Sequence, residues 1–111
     1  MKQFNHLLLP LLLILCTSSA FADKHDWRDP NSKFSTNANR TNTLQITWRY
    51  SNNVQKDCEA ESTKRHLGGF GTPMQACSFW DANSCTIITS TNPTMHTVGH
   101  EVRHCFQGNY H

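Results

Sequence analysis

Four cysteines in one short stretch, Cys58, Cys77, Cys85 and Cys105, most narrow what this chain can fold into. A domain this small builds only a marginal hydrophobic core, and exported chains of this size rely on staples or a metal. An even number of cysteines in such a chain reads as two disulfides, with three possible connectivities. Cys77 and Cys85 flank a short turn, so the expected bridges are Cys77–Cys85 and, by subtraction, Cys58–Cys105.

Export is read from the first residues. Lys2, the apolar run Leu7 to Leu15 and the small-x-small triplet Ala20-Phe21-Ala22 have the layout of a signal peptide cleaved after Ala22. The run is well short of the roughly 20 residues a membrane span needs, so no stable membrane anchor is expected after cleavage. Cys16 as a lipid-attachment site is disfavoured, because Leu15 stands where such signals carry a small residue. The expected division is therefore 1–22 signal peptide, 23–41 flexible N-terminal arm and 42–111 a single domain, in a protein that is periplasmic or secreted. Ten Lys and Arg oppose eight Asp and Glu over the whole sequence. Losing Lys2 brings the remainder closer to neutral, and with no basic-aromatic patch nucleic acid is excluded as a partner.

Residues 23–41 are rich in Asn, Ser and Asp and lack apolar periodicity, with Trp27 and Phe34 as the available anchors. Residues 43–50 then alternate, Leu44, Ile46, Trp48 and Tyr50 against Thr43, Gln45, Thr47 and Arg49, which predicts a half-buried strand. Residues 51–66 have a helix start at Ser51 or Asn52 but too few apolar positions to assign. After a Gly-rich loop, "MQACSFW" and "CTIITS" read as two strands of a hairpin joined by "DANS".

The closing segment is the best-defined element. Asn92 suits an N-cap, Pro93 the first helical position and Gly108 the position past the end, which predicts a helix over 93–107. Met95, Val98, Val102, Cys105 and Phe106 fall in one apolar stripe about 100° wide, with Gly99 near it and His100 and His104 opposite. The missing side chain of Gly99 is expected to let the helix approach the sheet.

His100 and His104 are one helical turn apart, so their rings can converge on one ion. Zinc takes neutral imidazole nitrogens, and Glu101 beside the first ligand can serve as base toward a water. Gly108 lets the chain turn back, and His111, three residues later, can supply a third ligand. The full ending is H-E-x-x-H-x-x-x-G-x-x-H.

This ending resembles the zincin metallopeptidases, and among them the metzincins with H-E-x-x-H-x-x-G-x-x-H. The glycine and final histidine here each come one residue later, and no methionine-containing turn is expected after His111. The resemblance implies His100 and His104 as zinc ligands and Glu101 as catalytic base. The order of strand, unassigned segment, hairpin and long helix reads as α+β, and the resemblance implies a minimal, disulfide-stapled zincin-like domain whose short sheet and hairpin pack against the active helix. Tyr110 is a candidate helper at the oxyanion, with a partly buried tyrosine covering the helix end as the plainer role.

Other candidates carry less. His96 extends the histidine row, but a third ring at i+8 lies about 12 Å along the axis, too far to share the ion. His66 and His25 read as solvated residues and Arg103 as solvent-facing. Trp48, Phe79 and Trp80 read as core or cleft wall. Cys105 reads as half of a disulfide rather than a catalytic thiol. The expected function is a small exported zinc hydrolase acting on peptides or proteins. The alternative is a cystine-stapled binding module or pseudoenzyme with a structural metal site, which has no need of Glu101.

Overall fold

The computed structural model describes residues 29–111; the expected signal peptide with Cys16, and the arm residues His25 and Trp27, lie outside the described residues. Between β1 (Gln45–Tyr50) and β2 (Ala76–Trp80), strand β3 (Ser84–Thr89) is the centre of a three-stranded sheet of order β1-β3-β2. Its run Cys85, Ile87, Ile88 and Thr89 is buried, as a strand covered on both faces requires. Strand β2 joins it antiparallel through Asp81–Asn83, so the expected hairpin forms. Strand β1 runs parallel to β3, because helix α1 (Val54–Lys64) and β2 intervene between them. Helix α2 (Met95–Gln107) packs against β2 and β3.

Strand parity sorts the core into two halves. Cys77 and Phe79 of β2 and Ile88 of β3 cluster with Cys58 of α1 on one face. Cys85 and Ile87 of β3 cluster with Cys105 of α2 on the other, with Trp80 and Val102 against them. The molecule is thus an α+β sandwich of three layers, α1, sheet and α2.

This parity corrects the expected bridges. The register places Cys77 opposite Ile88 and Cys85 opposite Trp80. Cys77 and the Cys85 partner Trp80 are three residues apart, so the two cysteines point to opposite faces. Cys58 bonds Cys77 and Cys85 bonds Cys105, one staple in each half of the core.

Helix α1 covers the segment left unassigned from sequence. Asn53, not Ser51 or Asn52, is its N-cap, accepting from the Lys56 N–H at 3.1 Å. The helix is held by Cys58 and by polar bonds rather than by an apolar stripe. Glu61 is buried between Arg49 of β1 at 2.7 Å and Arg65 at 2.8 Å, which ties β1 to α1.

The expectation of a half-buried β1 is also corrected. Ile46, Trp48 and Tyr50 do share a face, the one on which α2 lies, since they stand opposite Cys85, Ile87 and Thr89. But α2 covers β2 and β3, and every residue of β1 is exposed, Tyr50 to 69%. Trp48 is accordingly neither core nor cleft wall; its indole N–H donates to Thr89 Oγ1 at 3.0 Å.

Helix α2 starts two residues later than expected, because Thr94 rather than Asn92 supplies the cap, accepting from the Thr97 N–H at 3.1 Å. Met95 in the first turn is 82% exposed and so does not belong to the buried stripe. Gly99 faces open space, and a side chain there would meet nothing, so it is not a point of close approach to the sheet. The sheet-facing side is instead marked by Glu101 and Cys105.

The last turn of α2 is held from outside. The Arg40 N–H donates to the Phe106 carbonyl at 2.8 Å, and its guanidinium donates to the carbonyls of Cys105 and Ala82. The bonds to Cys105 and Phe106 satisfy carbonyls that a helix end leaves without partners, and the one to Ala82 ties that end to the β2–β3 turn. Phe34, an expected anchor, meets Phe106 edge-on with ring centroids 6.4 Å apart.

Candidate metal centre

Helix α2 places His100 and His104 one above the other, with ring centroids 4.9 Å apart. At Gly108 the backbone takes φ 66°, a left-handed value that glycine adopts without strain, and the chain reverses. His111 thereby returns to the helix. The three Nε2 atoms stand 3.2 Å (His100 to His104), 3.3 Å (His100 to His111) and 2.9 Å (His104 to His111) apart. This is the set of three expected from the sequence, and among the described residues no other group of three or more such side chains converges this way.

The donor set fits a metal ion. Nitrogens at about 2.0–2.1 Å from a tetrahedral zinc stand roughly 3.3 Å from one another, close to the spacings found. The hydrogen bonding points the same way. Nδ1 of His104 donates to the Gly108 carbonyl at 2.8 Å, so Nε2 of the neutral ring presents its lone pair to the cluster. Burial holds the His104 pKa down, at about 4, against the Gly108 bond, so the ring is neutral at neutral pH. Burial, with the charge of Arg103, lowers the pKa of His111 as well. Neutral nitrogens crowded this closely satisfy one another only in part, whereas one cation satisfies all three.

Glu101 lies beside this cluster, 6% exposed, and lines the same cleft of about 560 Å³. Ser78 on β2 donates to its Oε2 at 2.8 Å. Burial pushes the Glu101 pKa up to about 7, with the Ser78 bond pulling the other way. Phe70, Met74 and Trp80 give the cleft its apolar wall. Trp80 also stacks flat on His104, centroids 5.6 Å apart and planes within 6°, which fixes that ring from the sheet side.

The remaining candidates find their places. Tyr110 is half-buried, with its hydroxyl 2.9 Å from Nδ1 of His100. Arg103 does not face solvent as expected: its guanidinium lies over the Tyr110 ring, 4.1 Å from the centroid, and Nε donates to Gln107. His96 is exposed at the cleft, His66 is exposed just past α1, and Phe79 is core.

Sequence reasoning missed Ser78 and the Gly108 carbonyl. An isolated serine within a strand carries no signal until its face is known, and the carbonyl depends on the backbone reversal. Comparison with protein-family models, curated proteins and solved structures gave no match.

Proposed function

We propose that this protein is a small exported zinc-dependent hydrolase, a metallopeptidase of zincin type, acting on peptides or proteins. The observation that carries the reading is the buried carboxyl of Glu101 in the same cleft as three converging imidazole nitrogens. A histidine site built only for structure has no need of a carboxylate kept beside it and out of water, where burial costs stability unless offset. The two disulfides support an oxidising compartment.

His100, His104 and His111 would hold the ion. When bound, zinc lowers the pKa of a water toward about 7 and polarises a carbonyl. Glu101 takes the proton from the attacking water and returns it to the leaving amine. Ser78 steadies the carboxylate between them. The apolar cleft wall receives the substrate and limits water around Glu101.

Zinc content and cleavage of a broad peptide library, measured on wild type and Glu101→Gln, test the reading. The expected result is one zinc per chain in both, with cleavage by wild type alone. Equal inertness of the two, with unfolding on zinc removal, would replace the peptidase by a structural metal site.

A further inference from the structure

A histidine ligand is positioned by what its distal nitrogen holds. For His104 that partner is the Gly108 carbonyl. For His100 the structure offers the Tyr110 hydroxyl, 2.9 Å from Nδ1. We propose that Tyr110 is the positioning residue of His100, accepting the Nδ1 proton and so fixing the ring with Nε2 toward the ion. The inference rests on the metal-site reading, and it replaces the expectation that Tyr110 assists an oxyanion.

A second contact favours this polarity. The Tyr110 hydroxyl also lies 3.3 Å from the His100 carbonyl oxygen, which can only accept. A hydroxyl has one proton and two lone pairs. With its proton on the carbonyl, a lone pair is left to receive Nδ1–H. The reverse arrangement would leave the proton on Nε2 of His100, pointing at the other two ligand nitrogens and barring a cation. A hydroxyl whose proton is committed to the backbone is also poorly placed to donate to a substrate oxygen.

The ring holds the hydroxyl in place. Its centroid is 4.6 Å from that of His104 and 4.9 Å from that of His111, while Arg103 covers its face. Tyr110 is thus wedged among the ligand rings, and the hydroxyl has little room to turn away. Residues 108–111 then serve the site three times: one carbonyl orients His104, one hydroxyl orients His100 and one imidazole is itself a ligand.

Tyr110→Phe tests this, because it removes the hydroxyl and keeps the ring. Zinc affinity is read by competition with a chromophoric chelator, the His100 tautomer in the metal-free protein by 15N NMR, and turnover at saturating zinc. Thermal unfolding checks that the variant is folded. The expected result is zinc affinity weaker by about 10–100-fold, as loss of such a partner costs. The Nδ1–H form of His100 should decline in parallel. Unchanged affinity and tautomer would overturn the proposal, and lost turnover beside them would return Tyr110 to the oxyanion. Wild type that binds no zinc would instead overturn the metal site itself. Wild type that binds zinc yet cleaves nothing would overturn only the peptidase reading, since affinity and tautomer still test Tyr110.

Discussion

Ser78 Oγ donates to Glu101 Oε2 at 2.8 Å, joining the middle of β2 to the helix that carries His100 and His104. The bond satisfies a buried carboxyl, so Ser78→Ala should destabilise the metal-free protein by about 1–3 kcal/mol. Glu101→Gln keeps an acceptor for Ser78 and should cost less. Urea unfolding of both variants measures the difference; an undisturbed Ser78→Ala would mean that the bond contributes little.

The three histidines should not be equal. His104 is half-buried where His111 is exposed, stacked on Trp80 and within 3.2 Å of both partner nitrogens. His104→Ala should therefore weaken zinc binding more than His111→Ala, which should itself weaken it by about tenfold or more, taking damage to a ligand's partner as the lower bound. His96→Ala and His66→Ala should leave it unchanged. Chelator competition ranks the four variants, and a loss in His96→Ala would draw that residue into the site.

Acid should weaken the fold through Glu61. Its bond to Arg65 and then that to Arg49 hold its pKa below the usual carboxylate value, against desolvation. The unfolded chain therefore binds the proton more tightly. The stabilisation is complete above the unfolded pKa of about 4.5 and is lost as pH falls through the folded value. Glu61→Gln should cost about 1–3 kcal/mol at neutral pH, and the gap to wild type should narrow as pH falls through the folded value. Denaturant unfolding across pH 3–7 gives this difference directly; a gap that widens in acid would reverse the sign.

The two disulfides should separate in their effects. Each closes a ring of about 20 residues, and a native bridge in a small domain contributes about 2–5 kcal/mol, so either Cys-to-Ser pair should lower stability substantially. Only Cys85→Ser with Cys105→Ser loosens α2 beside His104, so only that pair should also weaken zinc binding. Peptide mapping without reduction should recover Cys58 joined to Cys77 and Cys85 to Cys105. A Cys77–Cys85 peptide would contradict the register of the hairpin.

Legibility in the sequence followed the range of the interaction. The hairpin and α2 were readable because turn residues, β-branched runs and helix-end signals act within a few positions. The clustering of His100, His104 and His111 was readable because i, i+4 spacing and a glycine reversal are local too. Helix α1 was not, since Cys58, Glu61 and Ser62 are what it buries, and none marks an apolar stripe. Cysteine pairing failed because it turns on strand parity, which proximity along the chain does not reveal. The alternation in β1 identified a shared face correctly but could not show that α2 would settle over β2 and β3 instead.

The bridges also bear on how the chain acquires its shape. Cys58–Cys77 and Cys85–Cys105 are consecutive in sequence, and their rings neither overlap nor interleave. In an oxidising compartment, a chain emerging N-terminal end first can pair Cys58 with Cys77 before Cys85 appears. Correct pairing is then the pairing of nearest available partners, and an oxidant alone can install it without later reshuffling. The parallel contact of β1 with β3 spans both α1 and β2 and has no covalent tie. It can form around a first loop that is already closed, which shortens the search the unlinked strand must make.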